Sequence, residues 1–536
     1  MQNITLKSYA ECMDEISSNR LYEGLLAYGL FSEKLPPIFS SEKFYEYCEK
    51  ISQPFAGVEH DFIIFESTRN TNTIREIGIP NPMGYQCLCA ALRDNWDDIR
   101  IHLKNQTLHQ NYKISRIHIR IDNNTNKLLK IDYDDLFQAP QRGRKAIFAM
   151  SSENWRVDGT PQVDLRIGSQ YRVKADISSC FPSTYTHALP WAILGKETAK
   201  LQRKKGWYND LDFRCRNIKN GETHGLLIGP HSSNLLSEII LTVVDKKLYD
   251  DGFKFTRHID DYTCYVESIA KAHEFIQKLS KFLRYFGFTL NNKKTQVEEL
   301  PLSNEEDWVN QLNSFSLNSS SGITTYKHVS RYIDLSIKLF YKNEKNSAIF
   351  NYAFKVISGG NLSINAEKYT VKTAIHLALK YTYLIPILEE YVFKKYSTVT
   401  NTLIENFSNR LFYIAFESGN HESLCYSIYF SLIYNFHLKE FDVQDITQNI
   451  KFKKIFESDN CISKLMLYFY CKKYHNHSTV KTYITNHAQS LSSNEMDKNW
   501  LFIYEVLSSG NLQGEWKPLK QAKVSFIHPE FIKAIS

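Results

Sequence analysis

The sequence predicts an α+β domain, with helices on one face of an antiparallel sheet, followed by an all-α array of paired helices. Three observations carry this. Residues 171–178 (YRVKADIS) read as a strand ending in an acid, and 254–267 (KFTRHIDDYTCYVE) read as strand, Asp-Asp turn, strand. Between them, GLLIGPHSSNLLSEIILTVVDKKLYD is a Gly-, Pro- and Ser-rich loop opening a long amphipathic helix, which makes a two-layer unit. From about residue 305 one amphipathic pattern follows another, as in YKHVSRYIDLSIKLFYK, VKTAIHLALKYTYLIPILEEYVFKKY and ESLCYSIYFSLIYNF. Gly359-Gly360, Gly419-Asn420 and Gly510-Asn511 punctuate them.

The smaller elements follow in order. Residues 1 to about 65 mix short helical patterns with a break at Pro36-Pro37. Residues 75–100 are an extended entry punctuated by Pro80-Asn81-Pro82, then a helical apolar run from Tyr85. ISRIHIRID (114–122) alternates with period two and predicts a strand. A helix over 270–286 and a short strand at Phe288–Leu290 close the α+β unit.

Composition narrows the class. A chain of 536 residues suggests about three domains and can bury a core without staples. The net charge of +7 suits a nucleic-acid partner without demanding one. The 33 Tyr and 33 Phe can stack on bases, but core packing is their default use. The ten cysteines show no zinc-ligand spacing; Cys471, His475 and His477 lack partners at regular spacing, so free thiols in a reducing compartment are expected. The N-terminus lacks a signal-peptide pattern, and no apolar stretch reaches the ~20 residues of a membrane span. A soluble, cytoplasmic protein with no membrane partner is expected.

Three acids stand out: Asp176 at the end of its strand, and Asp260 with Asp261 in the hairpin. Aspartate is a poor strand former. Read plainly, Asp-Asp makes a solvated turn and Asp176 caps a following helix. Read chemically, carboxylates converging at strand ends make a cradle for two hard cations that clamp the attacking and leaving oxygens of phosphoryl transfer.

Five segments in order resemble reverse transcriptases. KADISSCFPSTYTHALPWAILG resembles the first palm motif, HGLLIGPHSSNLLSEIIL the second, and RHIDDYTCYVES the third, with His258 where Tyr is usual. LRYFGFTLNNKKTQVEELP resembles the fourth, and IPNPMGYQCLCAALRDNW the fingers motif. Together they span roughly 75–301. STYTHALPWAILGKETAK and IGPHSSNLLSEIIL look like the bacterial abortive-infection, or defence-associated, branch, whose members carry a helical-repeat tail.

The resemblance implies an α+β right-hand-like fingers/palm polymerase domain followed by an all-α helical-repeat (HEAT-like) C-terminal domain. Expected boundaries are 1–165 for the N-terminal segment and fingers, 166–305 for the palm and 306–536 for the repeats. It implies nucleotidyl transfer from dNTPs with two Mg²⁺ ions, or Mn²⁺, held by Asp176, Asp260, Asp261 and the carbonyl of Ile177. Phe181, five residues after Asp176, falls at the gate against the ribose 2′-hydroxyl; otherwise it is a core aromatic. Gly225, Gly229 and Pro230 would shape a loop against the incoming base and template. Lys294 would lie near the triphosphate as a general acid, or is a solvated lysine. Arg75 would contact triphosphate or template. His224 stands where many relatives have Gln.

The branch further implies protein-primed DNA synthesis, with product covalently attached to a tyrosine, in some relatives without a template. Tyr9 and the C-terminal tyrosines qualify as primers only by accessibility. A bound non-coding RNA, a homo-oligomer and antiviral defence by abortive infection are also implied. Arg203, Lys204 and Lys205 suit a nucleic-acid backbone or a solvated helix face. A group II intron- or retron-type enzyme and a catalytically silent nucleic-acid-binding protein are the alternatives.

Overall fold

The computed structural model describes residues 8–51, 55–115, 118–119, 148–149, 161–204, 206–303, 306–317 and 322–536. Lys205 and most of the strand expected over 114–122 lie outside them. Within that segment, His118–Ile119 pairs with Phe148–Ala149.

The segment expected to form the fingers contains a hairpin that its local pattern does not predict. Strand β1 (Phe62–Thr68) pairs antiparallel with β2 (Ile74–Pro80), so the extended entry becomes a strand. Helix α1 (Pro82–Asp94) starts at Pro82, three residues before the expected Tyr85. Proline is tolerated at the first helical position, where its missing N–H has no partner to lose. The Asn81 side chain caps Met83 N.

The central sheet has four antiparallel strands. They are β3 (Tyr171–Asp176), β4 (Lys254–His258), β5 (Asp261–Val266) and β6 (Gln296–Glu299), in spatial order β4-β5-β3-β6. The strand expected at Phe288–Leu290 is a single bridge, Leu290 to Ile177, and the edge strand is β6 instead. The hairpin turn is Ile259-Asp260, not Asp260-Asp261: His258 pairs with Asp261, the first residue of β5. Of the two turn residues only the first, Ile259, has positive φ, at +58°, as in a type II′ turn.

Helix α2 (Ser232–Asp250) packs against helices Trp96–Thr107 and Ala188–Leu194 and against α3 (Ile269–Tyr285), which in turn packs on β3 and β5. Helix α2 was expected to be amphipathic. It is buried on nearly all sides, including Ser237, Glu238, Thr242 and Asp245, so its polar residues face internal partners rather than water.

From Tyr326 the described chain is helical. Tyr326–Lys342 matches its segment, whereas the long run 371–396 is broken into Ile364–Lys380 and shorter turns to Phe393. Gly419 ends Asn401–Ser418 at φ +67°, and Asn420 caps His421–Tyr434, which packs back against it. No helix among the described residues is long and apolar enough to cross a membrane.

Candidate active site

Sheet register brings the acids together. Asp176 is the last residue of β3 and lies directly across from Asp261 on β5. Asp260 is adjacent, in the turn, and its carbonyl accepts the N–H of Ile177 at 3.2 Å. The side-chain period of two places Asp176 and Asp261 on the same face as directly opposed residues.

Like charges this close repel. Burial, and then Asp176, push the Asp260 carboxyl up. Asp261 is pushed up to about 6 by burial, then by Asp260 and Asp176. The countercharge comes from Lys294, whose Nζ meets Asp176 Oδ2 at 2.8 Å, while Asn291 Nδ2 donates to Oδ1 at 3.1 Å. Lys294 is over half exposed, so it screens weakly. Arg75, on β2, is exposed and within the electrostatic reach of Asp260.

The remaining predicted residues surround this corner. Phe181 is half-buried on the short helix Cys180–Ser183, and its carbonyl accepts the N–H of Leu226 at 2.7 Å. That bond ties the segment after Asp176 to the glycine loop. Gly225 has φ +92°, and a Cβ there would stand 2.8 Å from both Pro182 O and Lys219 Nζ. Gly229 has φ +132°, with its missing Cβ 3.0 Å from Ile77 and 3.1 Å from Gly78 O. Pro230 is buried behind them. The loop is thus wedged between Cys180–Ser183 and β2, and only glycine fits its two close approaches. Ile177 is fully buried in the sheet.

His258 ends β4 directly opposite Asp261, and so borders the corner. Other expectations fall away from it. Exposed His224 bridges to Tyr185. Arg203 and Lys204 lie in an exposed turn. Tyr9, a priming candidate by accessibility, is buried, its hydroxyl beside Glu238. All ten cysteines are free thiols. Sequence reasoning missed Asn291, although its place three residues before Lys294 was a usable signal. It also missed Arg257, a cation at an inward strand position two residues before the turn.

The donor set at the corner is all hard oxygen and carries more negative charge than its neighbours neutralise. Both properties fit Mg²⁺ or Mn²⁺. Among the described residues, no three His, Cys, Asp or Glu side chains stand at ready-made ligand spacing. Fit therefore rests on the donors' chemistry and charge.

The family model described as reverse transcriptase (RNA-dependent DNA polymerase) matches residues 103–384, just over half of the chain. No curated protein matches the sequence. Solved structures that resemble it include the apo telomerase of Candida tropicalis, at 11% identity and TM-score 0.30, covering 71% of this chain and 69% of that one. The telomerase of Candida albicans in complex with a fragment of telomeric RNA is similar at 13% identity and TM-score 0.27, covering 68% and 63%. The chain thus spans about two thirds of these structures' length. Likeness at this level says nothing about what this chain binds.

Proposed function

The chain belongs to the reverse transcriptase (RNA-dependent DNA polymerase) family, and from that membership we propose that it polymerises dNTPs at the corner formed by Asp176, Asp260 and Asp261. The observation that carries this is the register: Asp176 opposite Asp261, with Asp260 beside both. Asp176, Asp260, Asp261 and the Ile177 carbonyl are the residues that hold two divalent cations. When bound, such ions lower the pKa of the attacking hydroxyl and neutralise charge on the leaving pyrophosphate. The chain's own residues do the rest. Lys294, whose Nζ reaches Asp176 Oδ2 at 2.8 Å, is the proton donor to the departing group. Phe181 closes the space on the sugar's 2′ side. The loop from Gly225 to Pro230 presents backbone to the base and template, and Arg75 meets triphosphate or template.

Synthesis primed from a tyrosine of the protein, with or without a resident RNA, a homo-oligomeric state, a bacterial cytoplasmic setting and a role in abortive antiphage defence complete the reading. They rest on the resemblance of residues 183–200 and 228–241 to that branch.

The test incubates the full chain with each labelled dNTP and Mg²⁺, alone and with an annealed RNA–DNA primer-template. Products are run on denaturing protein gels before and after protease. Label that travels with the protein and is released by protease supports tyrosine priming. Asp260→Ala is expected to lower incorporation by about 10³-fold or more, as loss of a metal ligand worth several kcal/mol would. No incorporation under either condition would sink the catalytic reading.

A further inference from the structure

We infer that Arg257 is the positioning residue of the acidic turn: its guanidinium holds the Ile259 carbonyl and so sets the aim of Asp260 and Asp261. The inference rests on the reading of those aspartates as metal ligands.

The turn is an unfavourable one for its sequence. Ile259 adopts φ +58°, a left-handed conformation that β-branched residues rarely take. A two-residue hairpin turn with positive φ at its first central position ordinarily uses glycine there. Something must over-determine the conformation, and strained backbone of this kind collects at functional sites.

Arg257 supplies the hold. Its side chain is fully buried. Nη1 donates to the Ile259 carbonyl at 2.8 Å. Nε donates to Asp245 at 2.9 and 3.0 Å, and Nη2 to Asp245 at 2.6 Å and Glu238 at 2.9 Å. Glu238 and Asp245 are seven residues apart, on one face of α2. Glu238 is fixed in turn by the hydroxyl of Ser115, and the backbone N–H of Arg257 donates to Ile114 O at 2.7 Å. A continuous chain of charge-assisted bonds therefore runs from α2 through one rigid guanidinium to the residue that precedes Asp260. The planar fork is essential. A lysine could sit between Glu238 and Asp245, but its single nitrogen cannot also reach the Ile259 carbonyl in a second direction.

Arg257→Lys is the variant of choice, because it keeps a cation between the two buried acids. Mn²⁺ is titrated into the full chain, and the free ion is read by electron paramagnetic resonance for wild type, Arg257→Lys and Asp260→Asn. Arg257→Lys is expected to weaken the Asp260-dependent Mn²⁺ binding by about tenfold, the usual effect of losing an outer hydrogen bond at a metal site. In primer extension its half-saturating Mg²⁺ rises and kcat falls, while the dNTP KM stays within about twofold of wild type. If Arg257→Lys does not fold, Glu238→Gln, which keeps an acceptor but removes a charge from the guanidinium, is expected to shift Mn²⁺ affinity the same way by a smaller factor. Folded variant protein with wild-type Mn²⁺ affinity overturns the inference alone and returns Arg257 to a purely structural role. Wild type that binds no more Mn²⁺ than Asp260→Asn overturns the metal reading and the inference with it.

Discussion

Phe181 and Lys355 illustrate how burial decides what a single residue does. Phe181, five residues after Asp176, is half-buried and packed against the core. Under the proposed gating role, Phe181→Val raises ribonucleotide use relative to deoxynucleotide use by about tenfold or more. Competition between labelled dNTP and rNTP measures this, and an unchanged ratio would make the ring a packing residue. Lys355 is buried on the face of Tyr391. Burial, and then Lys34, lower its pKa to about 8 from 10.5. Between those two values the unfolded chain binds more protons than the folded one, so stability rises with pH across that window and the full penalty is felt below 8. Replacing the lysine with methionine should therefore stabilise the protein at pH 7, by at most about 3 kcal/mol. The gap from wild type should narrow as pH rises from 8 toward 10. Denaturant midpoints of both proteins at three pH values would show it, and a gap that does not change with pH refutes the shift.

At the scale of elements, the glycine loop and the acidic hairpin make the corner possible. Gly225 combines φ +92° with backbone of Pro182 at 2.8 Å from its missing Cβ, so neither conformation nor space admits a side chain. Gly225→Ala is expected to cost about 1–3 kcal/mol of stability. Gly419→Ala also meets positive φ, at a helix end, but in open space. Its cost should be about 1 kcal/mol, with incorporation unaffected. Equal effects of the two substitutions on thermal midpoint and activity would contradict the wedged geometry of the loop.

Across the whole molecule, the helices beyond residue 326 are bound to the β1–β2 hairpin by side chains at both of its ends. Glu422 accepts from Ser67 Oγ at 2.9 Å and from the N–H of Thr68 at 2.7 Å, at the end of β1. Asp497 accepts from the N–H of Asp61 at 3.1 Å and from Asn81 Nδ2 at 2.7 Å, at the other end. Asn70 and Ser347 join the hairpin loop to a further helix start. These bonds satisfy backbone groups at the hairpin's ends and limit its movement relative to the helices. Asp497→Ala should lower global stability by about 1–3 kcal/mol, because it strands several donors at once. It should also raise protease cutting within 60–80. Unchanged proteolysis would mean that the hairpin is held by apolar packing alone.

Element type was largely legible from sequence, since it follows from local periodicity: β3, the two hairpin strands, the long helix after the glycine loop and Tyr326–Lys342 all follow patterns within a few residues. The three aspartates were legible as residues because acids are conspicuous at strand ends. Boundaries were less so. Pro82 opening a helix and Ile259 bending the hairpin are choices that tertiary contacts impose against local preference. The β1–β2 pairing was hidden because ladders join residues distant in sequence, and short strands leave little local pattern. The role of Arg257 was invisible for the same reason: a lone arginine in a strand reads as exposed until Glu238 and Asp245 arrive from another element. By itself, the sequence determined which groups carry charge and which segments wind or extend, since both are properties of neighbouring residues. Only the tertiary structure decided which acids face each other, what neutralises them and what holds their turn, because register and burial are set by contacts between segments far apart in the chain.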